Sequence, residues 1–422
     1  MKTLAVAVLS LLIVAYSKAE TKRVLFIGNS YIYTNNLPQV LKDVALSNGD
    51  DVIFDNSTPG GHTFQQHSTN ATTLSKIAQG NWDYIILQEQ SQRPAFPISQ
   101  VQTEVFPYAA YLDSLAKAQN PCATVMYYMT WGRKNGDASN CQFFPPLCTY
   151  AGMDSLLRLR YQMMADDNSS EISPVGPVWN YIRTNFPSIE LYSADESHPN
   201  ATGTYAGALS FYSAIFRKSP LNVTYNSTVS IANAALIKEA VEEVVFQNME
   251  QWNIGDFDPL ANFEIGSGVG AGEFVFTNLS ENSTEYTWDF GDGTALSTES
   301  NPLHVYAEQG NYNVMLVSKK CNRMDTIIQN LNYFFLSDTK NLKENMFDIF
   351  PNPNKDVLKI EMQTNFSGSL QIRDALGKEI YNANLQNNIS NFTIDTKDFK
   401  GGLYFISFRN EIGEVFKKFI KQ

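Results

Sequence analysis

The chain has 422 residues with 31 Lys and Arg against 43 Asp and Glu, so its formal net charge is −12. This length predicts two or three domains, and an aromatic content of 13% excludes a disordered, collagen-like or coiled-coil protein. The negative charge argues against nucleic acid and an anionic membrane surface as partners, and the four cysteines, without a CxxC or HExxH pattern, indicate neither a disulfide scaffold nor a metal site.

The N-terminus has the features of a secretory signal. Met1-Lys2 is a short basic start, residues 4–15 are an apolar run too short to cross a bilayer, and Ser17-Lys18-Ala19 places small residues where a signal peptidase cleaves. We therefore predict that residues 1–19 are removed on export; the alternative, a membrane anchor, would need a longer apolar run. No later segment has the run of about 18 apolar residues that a transmembrane helix needs, so no further span is expected.

Residues 20–255 alternate short apolar runs with helical patterns. The runs are continuous, which is typical of strands that are covered on both faces. The predicted strands are 24–27, 83–87, 124–129 and 190–193, and the predicted helices are 37–46, 101–119, 152–166 and 231–252. This alternation predicts an α/β domain with a doubly wound parallel sheet, whose reactive groups gather at the carboxyl ends of the strands.

Beyond residue 258 the pattern changes to short strands with a period of two and many turn residues. Strands are expected at 274–276, 286–288 and 312–317, which predicts a small all-β sandwich over residues 259–336. A second small β-sandwich is predicted over residues 345–422, after a polar linker at 337–344. In that unit we expect a turn at 374–378 and a late strand at 401–407.

One of the four histidines lies in a pattern that is typical of a catalytic base. His198 follows a predicted strand, and Asp195 lies three residues before it, where its carboxylate can reach Nδ1 and stabilise the imidazolium. Ser30 directly follows the first strand, where a tight turn into a helix would expose its hydroxyl. Each feature alone is also typical of a surface loop or a helix cap, so neither assigns a function by itself.

Two further segments could stabilise an oxyanion. The pair Gly60 and Gly61 follows a strand and would let backbone N–H groups approach a ligand, and the side-chain amides of Gln88 and Gln90 follow the strand at 83–87. The alternatives are an ordinary turn and a polar loop. Because serine, glycine pair, glutamine and Asp-x-x-His stand in order at successive strand ends, their combination favours a hydrolase.

Residues 26–31, taken together with the glycine, glutamine and Asp-x-x-His segments, resemble the SGNH (GDSL-like) hydrolase superfamily. The resemblance covers about residues 22–250. The resemblance implies a flavodoxin-like three-layer fold and hydrolysis of esters, often of acetyl or other short acyl groups, without a metal or organic cofactor. It also implies Ser30 as the nucleophile, His198 as the base and Asp195 as its partner. The oxyanion would lie between the backbone N–H groups of Ser30 and Gly61 and a glutamine side chain.

The chain departs from the family pattern in two places. Gly28-Asn29-Ser30 replaces the usual Gly-Asp-Ser, and Gln88-Glu89-Gln90-Ser91 stands in place of the usual Gly-x-Asn-Asp block. The second stretch resembles the Gln-Gly-Glu-Ser of some sugar acetylesterases in the superfamily. The third oxyanion donor is therefore Gln88 or Gln90, and we favour Gln88 because it immediately follows the strand.

The loop after the third predicted strand contains candidate substrate-binding residues. Trp131 could stack on a sugar ring and Arg133 could bind a carboxylate; the alternative for Trp131 is packing within its own loop. Cys141 and Cys148 enclose six residues and are predicted to form a disulfide after export. Cys122 opens a core strand and is predicted to be a buried thiol.

The first trailing unit has a resemblance of its own. Residues 286–294, 301–306 and 310–314 resemble a PKD (polycystic kidney disease) domain, over about residues 260–335. That resemblance implies a spacer or an adhesion module rather than catalysis, with His304 as a structural histidine. The aspartates of the Asp-Gly turns could bind Ca²⁺, but such residues are more often ordinary turn residues.

The second trailing unit resembles a secretion signal. Residues 349–353, 401–404 and 417–420 are together similar to the C-terminal sorting domain of the type IX secretion system, over residues 345–422. The resemblance implies contact with the type IX machinery, passage across an outer membrane, and release or cell-surface attachment.

Together these features predict a secreted or surface-attached serine esterase that acts on acylated carbohydrates outside the cell. The alternatives are a noncatalytic adhesin or glycan-binding protein with a degenerate hydrolase domain, and a lipid or aryl esterase.

Overall fold

The computed structural model of the protein describes residues 19–334, 347–410 and 413–422. The predicted linker at 337–344 and, except for Ala19, the predicted signal sequence lie outside the described residues. The chain divides into two compact units, Met1–Phe257 and Asp258–Gln422, which are taken in turn.

A five-stranded parallel sheet forms the centre of the first unit. Its strands are β1 (Thr21–Ile27), β2 (Asp51–Ser57), β3 (Tyr84–Leu87), β4 (Thr124–Tyr128) and β5 (Glu171–Ser173). They lie in the order β2-β1-β3-β4-β5, and every pair is parallel. This is the flavodoxin-like order, and the predicted α/β fold class is confirmed. The central strands read as continuous apolar runs because they are buried on both faces, as at β3, where all four residues are buried.

The helices of this unit form two groups. In the first, α2, α8 and α10 each contact α9, and α8 also contacts α10. In the second, α3, α4, α5 and α7 each contact α6. The helices are α1 (Ser30–Tyr33), α2 (Leu37–Leu46), α3 (Phe64–His67), α4 (Ala71–Ile77), α5 (Ile98–Glu104), α6 (Phe106–Gln119), α7 (Tyr150–Asn168), α8 (Val175–Asn185), α9 (Ala201–Phe216) and α10 (Ile231–Val244).

Two of the predicted helices are interrupted. The predicted helix 101–119 consists of α5 and α6, because Val105 leaves the helical region and Pro107 in the first turn of α6 has no N–H to donate. The predicted helix 231–252 ends at Val244 and continues as a 3₁₀ helix, Phe246–Trp252.

The strand predicted at 190–193 is wrong. That segment makes only an isolated bridge between Tyr192 and Pro199, and the fifth strand of the sheet is β5 instead. Hydrogen bonds from Ser193 N–H to His198 O (2.8 Å) and from Asn200 N–H to Leu191 O (2.9 Å) close it into a loop before α9.

The second unit begins with two antiparallel three-stranded sheets. One contains β6 (Phe263–Ser267), β7 (Glu273–Asn278) and β9 (Leu303–Val305), and the other contains β8 (Glu285–Asp289), β10 (Gly310–Lys320) and β11 (Arg323–Tyr333). Aromatic residues from both sheets, among them Phe276 and Trp288, share one core, so the sheets form the predicted sandwich.

The C-terminal part of the second unit has an antiparallel sheet and a hydrophobic core of its own. Its strands are β12 (Phe347–Phe350), β13 (Val357–Asp374), β14 (Glu379–Asp395), β15 (Gly402–Asn410) and β16 (Gly413–Lys421). The predicted turn joins β13 to β14, with Gly377 N–H donating to Asp374 O at 3.0 Å. The predicted all-β class of the trailing part is thus confirmed.

Candidate active site

Ser30 lies at the first position of α1, where Gly28 and Asn29 form the turn that follows the carboxyl end of β1. Asn29 caps this helix with its side-chain oxygen, which accepts the Tyr31 N–H at 3.2 Å, while its Nδ2 donates to His62 O at 3.0 Å. A Cβ at Gly28 would lie 2.4 Å from Oε1 and 2.9 Å from Cβ of the buried Gln88, so a larger residue would displace that side chain. An aspartate in place of Asn29 could not donate to His62, which gives Asn29 a structural role.

The structure brings Ser30, His198 and Asp195 together. Nε2 of His198 lies 2.8 Å from Oγ of Ser30, and Nδ1 of His198 hydrogen-bonds to the Asp195 carboxylate. Partial burial works to raise the pKa of Asp195, but hydrogen bonds from the His198 ring and from the N–H groups of Ser197 and His198 outweigh it and lower that pKa below its ordinary value. Because an ionised Asp195 accepts a hydrogen bond from the Nδ1–H group of His198, Nε2 of a neutral His198 is left to accept the Ser30 hydroxyl proton.

The His198 loop is supported from inside the protein by an aromatic stack. Tyr31 lies parallel to Trp131 with ring centroids 4.8 Å apart, and Trp131 stacks on Trp179 at 3.7 Å. The Tyr31 hydroxyl lies 2.8 Å from Oγ of Ser197, and the Trp131 indole N–H donates to Ser197 O at 3.1 Å. The residue before His198 is therefore fixed by two hydrogen bonds from this stack.

The prediction that Trp131 stacks on a sugar is wrong. Its side chain is fully buried between Tyr31 and Trp179, so no ring face is left for a ligand. Trp131 has the packing role that was the alternative, but its partners are Tyr31 of α1 and Trp179 of α8 rather than residues of its own loop.

Arg133 is half-buried and already has an acidic partner. Its Nη1 lies 3.3 Å from Oδ1 of the fully buried Asp137, while its Nε is buried without a hydrogen bond in the part of the chain that the structure describes. Asp137 also accepts a hydrogen bond from Gln92 at 2.6 Å. The predicted role of Arg133 in binding a carboxylate stays a prediction.

The loop that follows Arg133 is closed by a disulfide between Cys141 and Cys148, as predicted. The loop is also fixed by Asp137, whose N–H donates to Leu147 O at 2.7 Å and whose carbonyl accepts the Cys141 N–H at 2.9 Å. The prediction for Cys122 is wrong, because this residue is exposed and is not a free thiol.

Gln88 does not have the geometry of an oxyanion donor. The residue is fully buried; its Oε1 accepts the Asn29 N–H at 2.9 Å and its Nε2 donates to Glu89 O. The preference for Gln88 over Gln90 is therefore corrected: the first residue after β3 points into the protein and holds the Ser30 turn.

Gln90 is half-buried and remains a candidate donor. Its Oε1 accepts the N–H groups of Gln92 (2.9 Å) and Arg93 (3.3 Å), which leaves the NH₂ group pointing the other way. One hydrogen of that group is donated to Gln92 at 3.1 Å, and an amide NH₂ carries two.

Among the described residues, the backbone N–H groups of Ser30 and Gly61 donate no hydrogen bond. Gly61 has φ +68°, a left-handed conformation that favours glycine.

Glu89 is a buried carboxylate that the sequence did not single out. It is fully buried, and burial raises its pKa to about 8, although hydrogen bonds from the N–H groups of Gln90 and Phe64 oppose the rise. In the sequence, only its position between Gln88 and Gln90 sets Glu89 apart. Neither the spacing of apolar residues around it nor its own polarity distinguishes it from a glutamate on the surface.

His67 is buried beneath the Ser30 turn. Its Nε2 lies 2.9 Å from Gly28 O, which can only accept, so Nε2 carries the hydrogen and Nδ1 accepts from the Thr73 hydroxyl at 2.8 Å. Burial lowers the pKa of His67 to about 4; the Gly28 hydrogen bond opposes this shift, and nearby His62 adds to it. His67 is therefore neutral at physiological pH and supports the backbone before the candidate nucleophile.

We expect His67 to make the stability of the folded protein pH-dependent. Above pH 6.5 the ring is neutral in both states, whereas between pH 6.5 and about 4 only the unfolded chain takes up the proton. The free energy of unfolding should then fall as pH falls, by roughly 3 kcal/mol in total from this group. Urea unfolding at several pH values should give a smaller slope between pH 6.5 and 4 for His67→Gln than for the wild type; equal slopes would contradict the prediction.

His304 has a structural role, as predicted. Its Nε2 lies 2.7 Å from Oδ2 of Asp292 and its ring stacks on Phe290 at 4.0 Å. The other Asp292 oxygen accepts from Thr294 N–H at 3.1 Å and from the Thr294 hydroxyl at 2.6 Å, so this turn is held by its own hydrogen bonds. In the described ranges, no group of three or more His, Cys, Asp or Glu residues could hold a metal ion, and no helix is long and apolar enough to cross a membrane.

Comparison with protein families identifies the two trailing modules. Residues 268–329 match the model of the PKD domain, and residues 348–422 match that of the secretion system C-terminal sorting domain. The protein is thus an α/β protein that is exported to the cell surface or secreted, and a PKD domain and a sorting domain follow the α/β domain in the sequence. Both resemblances drawn from the sequence of the trailing part are confirmed.

Known proteins resemble separate parts of the chain. A DUF4886 family protein from Bacteroides uniformis is 17% identical, with a TM-score of 0.48, over 53% of this chain and 95% of its own. A candidate SGNH hydrolase from Slackia heliotrinireducens is 24% identical, with a TM-score of 0.39, over 46% of this chain and 97% of its own. Collagenase ColA from Bacillus cereus is 62% identical over 34 residues, 8% of this chain. The chain spans only 3% of the length of the curated relatives it matches.

Proposed function

We propose that the protein is a secreted serine esterase that hydrolyses short-acyl carboxylic esters, above all acetyl esters, through Ser30, His198 and Asp195. The observation that carries this proposal is the continuous hydrogen-bonded chain from the Asp195 carboxylate through the His198 ring to the Ser30 hydroxyl. Ser30 and His198 are 168 positions apart in sequence, so this contact is not a by-product of local loop structure. It is the arrangement of nucleophile, base and orienting carboxylate that acyl transfer requires.

In the proposed mechanism, Nε2 of His198 takes the hydroxyl proton while Oγ of Ser30 attacks the ester carbonyl. Asp195 stabilises the resulting imidazolium. His198 then gives the proton to the leaving alcohol, and water, activated by the same base, releases the acid from the acyl-enzyme. No step in this sequence requires a metal ion or an organic cofactor.

The proposed oxyanion donors are the backbone N–H groups of Ser30 and Gly61 and the side-chain amide of Gln90. The two backbone groups have no competing acceptor among the described residues, and Gln90 has a spare amide hydrogen. Gln90 therefore replaces Gln88 in this role.

For the alcohol portion we propose an acylated extracellular glycan. The support is export, which exposes the site to polysaccharides outside the cell, together with the resemblance of Gln88-Glu89-Gln90-Ser91 to a stretch of some sugar acetylesterases. The half-buried Arg133 guanidinium is the candidate contact for an acidic sugar. Release of acetate from acetylated xylan, acetylated uronic-acid polymers and a p-nitrophenyl ester, compared in one assay, tests this part.

The test of the reaction class is covalent labelling with an alkyl fluorophosphonate. The probe should add one phosphonyl group to the protein, with the adduct on Ser30 in peptide mass spectrometry, and Ser30→Ala should take up none. A control esterase labelled in parallel establishes that the conditions are adequate. If the wild-type protein stays unlabelled beside that control, the noncatalytic adhesin becomes the better description.

We expect Gln90→Ala to reduce the turnover number on an acetyl ester by roughly 10²–10³-fold, the cost of removing one oxyanion donor. The melting temperature should change little, because Gln90 is half-exposed. Gln88→Ala is the matched comparison: it should lower the melting temperature, because the buried Asn29 N–H would lose its acceptor. A stable Gln90→Ala variant with wild-type turnover would remove Gln90 from the site.

We also propose that residues 20–255 are the catalytic domain and that the modules at 259–336 and 345–422 take no part in catalysis. A polypeptide of residues 20–257 should keep the turnover number of the full chain on a small acetyl ester, because every proposed catalytic residue precedes Phe257. The measurement is steady-state kinetics of both proteins, after circular dichroism has established that the shorter one is folded. Loss of activity in the folded shorter protein would assign part of the site to a trailing module.

A further inference from the structure

Glu89 connects two of the loops that border Ser30. Its Oε2 accepts the backbone N–H of Phe64 at 3.0 Å, and its Oε1 accepts the backbone N–H of Gln90 at 2.5 Å. Phe64 begins the helix that follows the Gly60-Gly61 loop, so the carboxylate contacts the chain just beyond one proposed oxyanion donor and the backbone of another. One side chain thus holds both loops.

This carboxylate is not explained by an ion pair. Glu89 is fully buried, and among the described residues its oxygens accept from backbone N–H groups rather than from a Lys, Arg or His side chain. Arg93, which lowers the pKa of Glu89 from farther away, pairs with Glu104 instead. Burying a carboxyl group without a close cation favours its protonated form, in keeping with the raised pKa of about 8, and leaves the two backbone N–H groups as its hydrogen-bond partners.

The backbone of Glu89 is fixed as well. Its N–H donates to the Tyr161 hydroxyl on α7 at 3.3 Å, and its carbonyl accepts from the Gln88 side chain. Gln88 in turn accepts the Asn29 N–H, one residue before Ser30. The loop after β3 is therefore tied to the Ser30 turn through Gln88 and to the glycine loop through Glu89.

We propose that Glu89 is a positioning residue: its carboxylate sets the separation between the Gly61 and Gln90 oxyanion donors by binding one backbone N–H in each loop. This inference rests on the proposed esterase function and extends it, because it assigns the spacing of the oxyanion hole to a group that does not contact the substrate. Glutamate suits the role because its two oxygens can accept from two N–H groups in different directions. Glutamine offers one acceptor and would turn its NH₂ group toward the other N–H.

The test compares Glu89→Gln with Asp113→Asn, another buried carboxylate in the first unit. Asp113 pairs with Lys117 at 2.8 Å and touches neither loop, so its variant reports the general effect of replacing a buried carboxyl group by an amide. For Glu89→Gln we expect the turnover number on an acetyl ester to fall by roughly 10–10²-fold, while KM stays within about threefold of wild type. For Asp113→Asn the turnover number should stay at the wild-type value, whatever happens to the melting temperature.

A second readout does not depend on activity. The amide hydrogens of Phe64 and Gln90 should exchange with deuterium about tenfold faster in Glu89→Gln than in wild type, and no faster in Asp113→Asn. Wild-type turnover together with unchanged exchange in a folded Glu89→Gln variant would overturn the proposal. If that variant does not fold, Glu89→Asp, whose shorter side chain cannot reach both N–H groups, is expected to show the same two effects, and wild-type behaviour there would equally overturn it.

These measurements also separate this inference from the proposed function. If the wild-type protein neither hydrolyses the acetyl ester nor takes up the phosphonate probe, the esterase proposal fails. The exchange rates of Phe64 and Gln90 would then still decide whether Glu89 holds the two loops.

Discussion

Alanine at Ser30 or at His198 is expected to reduce turnover of an acetyl ester by roughly 10⁴–10⁶-fold. The serine hydroxyl is a poor nucleophile until its proton has an acceptor, and the 2.8 Å contact makes Nε2 of His198 that acceptor. The two residues act as one unit, so the double variant should be little worse than either single variant. Steady-state kinetics of the three variants, with circular dichroism as the check on folding, measures this.

Asp195→Asn tests the carboxylate that hydrogen-bonds to the His198 ring. An amide in place of the carboxylate can still hydrogen-bond to the ring, but it does not stabilise the imidazolium, so the loss of turnover should be comparable to or smaller than that of His198→Ala. A His198→Ala variant with near-wild-type turnover would contradict the assignment of His198 as the base. His62 would then be the remaining histidine of the first unit to test, because both ring nitrogens of His67 are already hydrogen-bonded.

Trp131→Ala is expected to lower the free energy of unfolding by about 3–5 kcal/mol. The indole is fully buried between two aromatic rings, and its removal would leave a large cavity and an unpaired Ser197 carbonyl. Urea unfolding followed by tryptophan fluorescence is suitable, because Trp82, Trp179 and Trp252 remain in the first unit.

Trp131→Phe is the matched control, since it keeps a ring in the stack but loses the indole N–H. We expect it to cost about 1 kcal/mol for the lost hydrogen bond, together with some loss of packing. Both variants should also turn over more slowly, because Ser197 and its neighbour His198 lose a support. Unchanged stability together with a raised KM for a glycan ester would contradict this view and return Trp131 to substrate binding.

The fold could be predicted where burial leaves a simple pattern in the sequence. The strands β1, β3 and β4 are continuous apolar runs, and the amphipathic α2 has the predicted bounds. In contrast, α9 was missed because it is buried on nearly all sides. Its sequence therefore lacks the alternation of apolar and polar residues by which an amphipathic helix is identified. The three-residue β5 is too short to produce a pattern at all.

The site could be predicted as a set of residue types, but not in its detailed contacts. Ser30, Asp195 and His198 were singled out by their positions at strand ends and by a family resemblance, and the structure brings the three side chains together. The roles of Gln88 and Trp131 were misassigned, because adjacency to a strand end does not tell whether a side chain points to the cleft or into the core. Glu89 was passed over for the same reason: a buried carboxylate that binds two backbone N–H groups leaves no periodic signal.

The face-to-face arrangement of Trp131 and Trp179 has an optical consequence. Two indole rings whose centroids lie 3.7 Å apart and whose planes differ by only 9° are close enough for their electronic transitions to couple, so we expect an exciton band in the far-ultraviolet circular dichroism spectrum. Since the Trp131 indole N–H donates a hydrogen bond to Ser197 O, this signal should report on the segment that carries His198. The protein therefore contains an intrinsic spectroscopic probe that can follow the ordering of its candidate base during refolding, without any attached label.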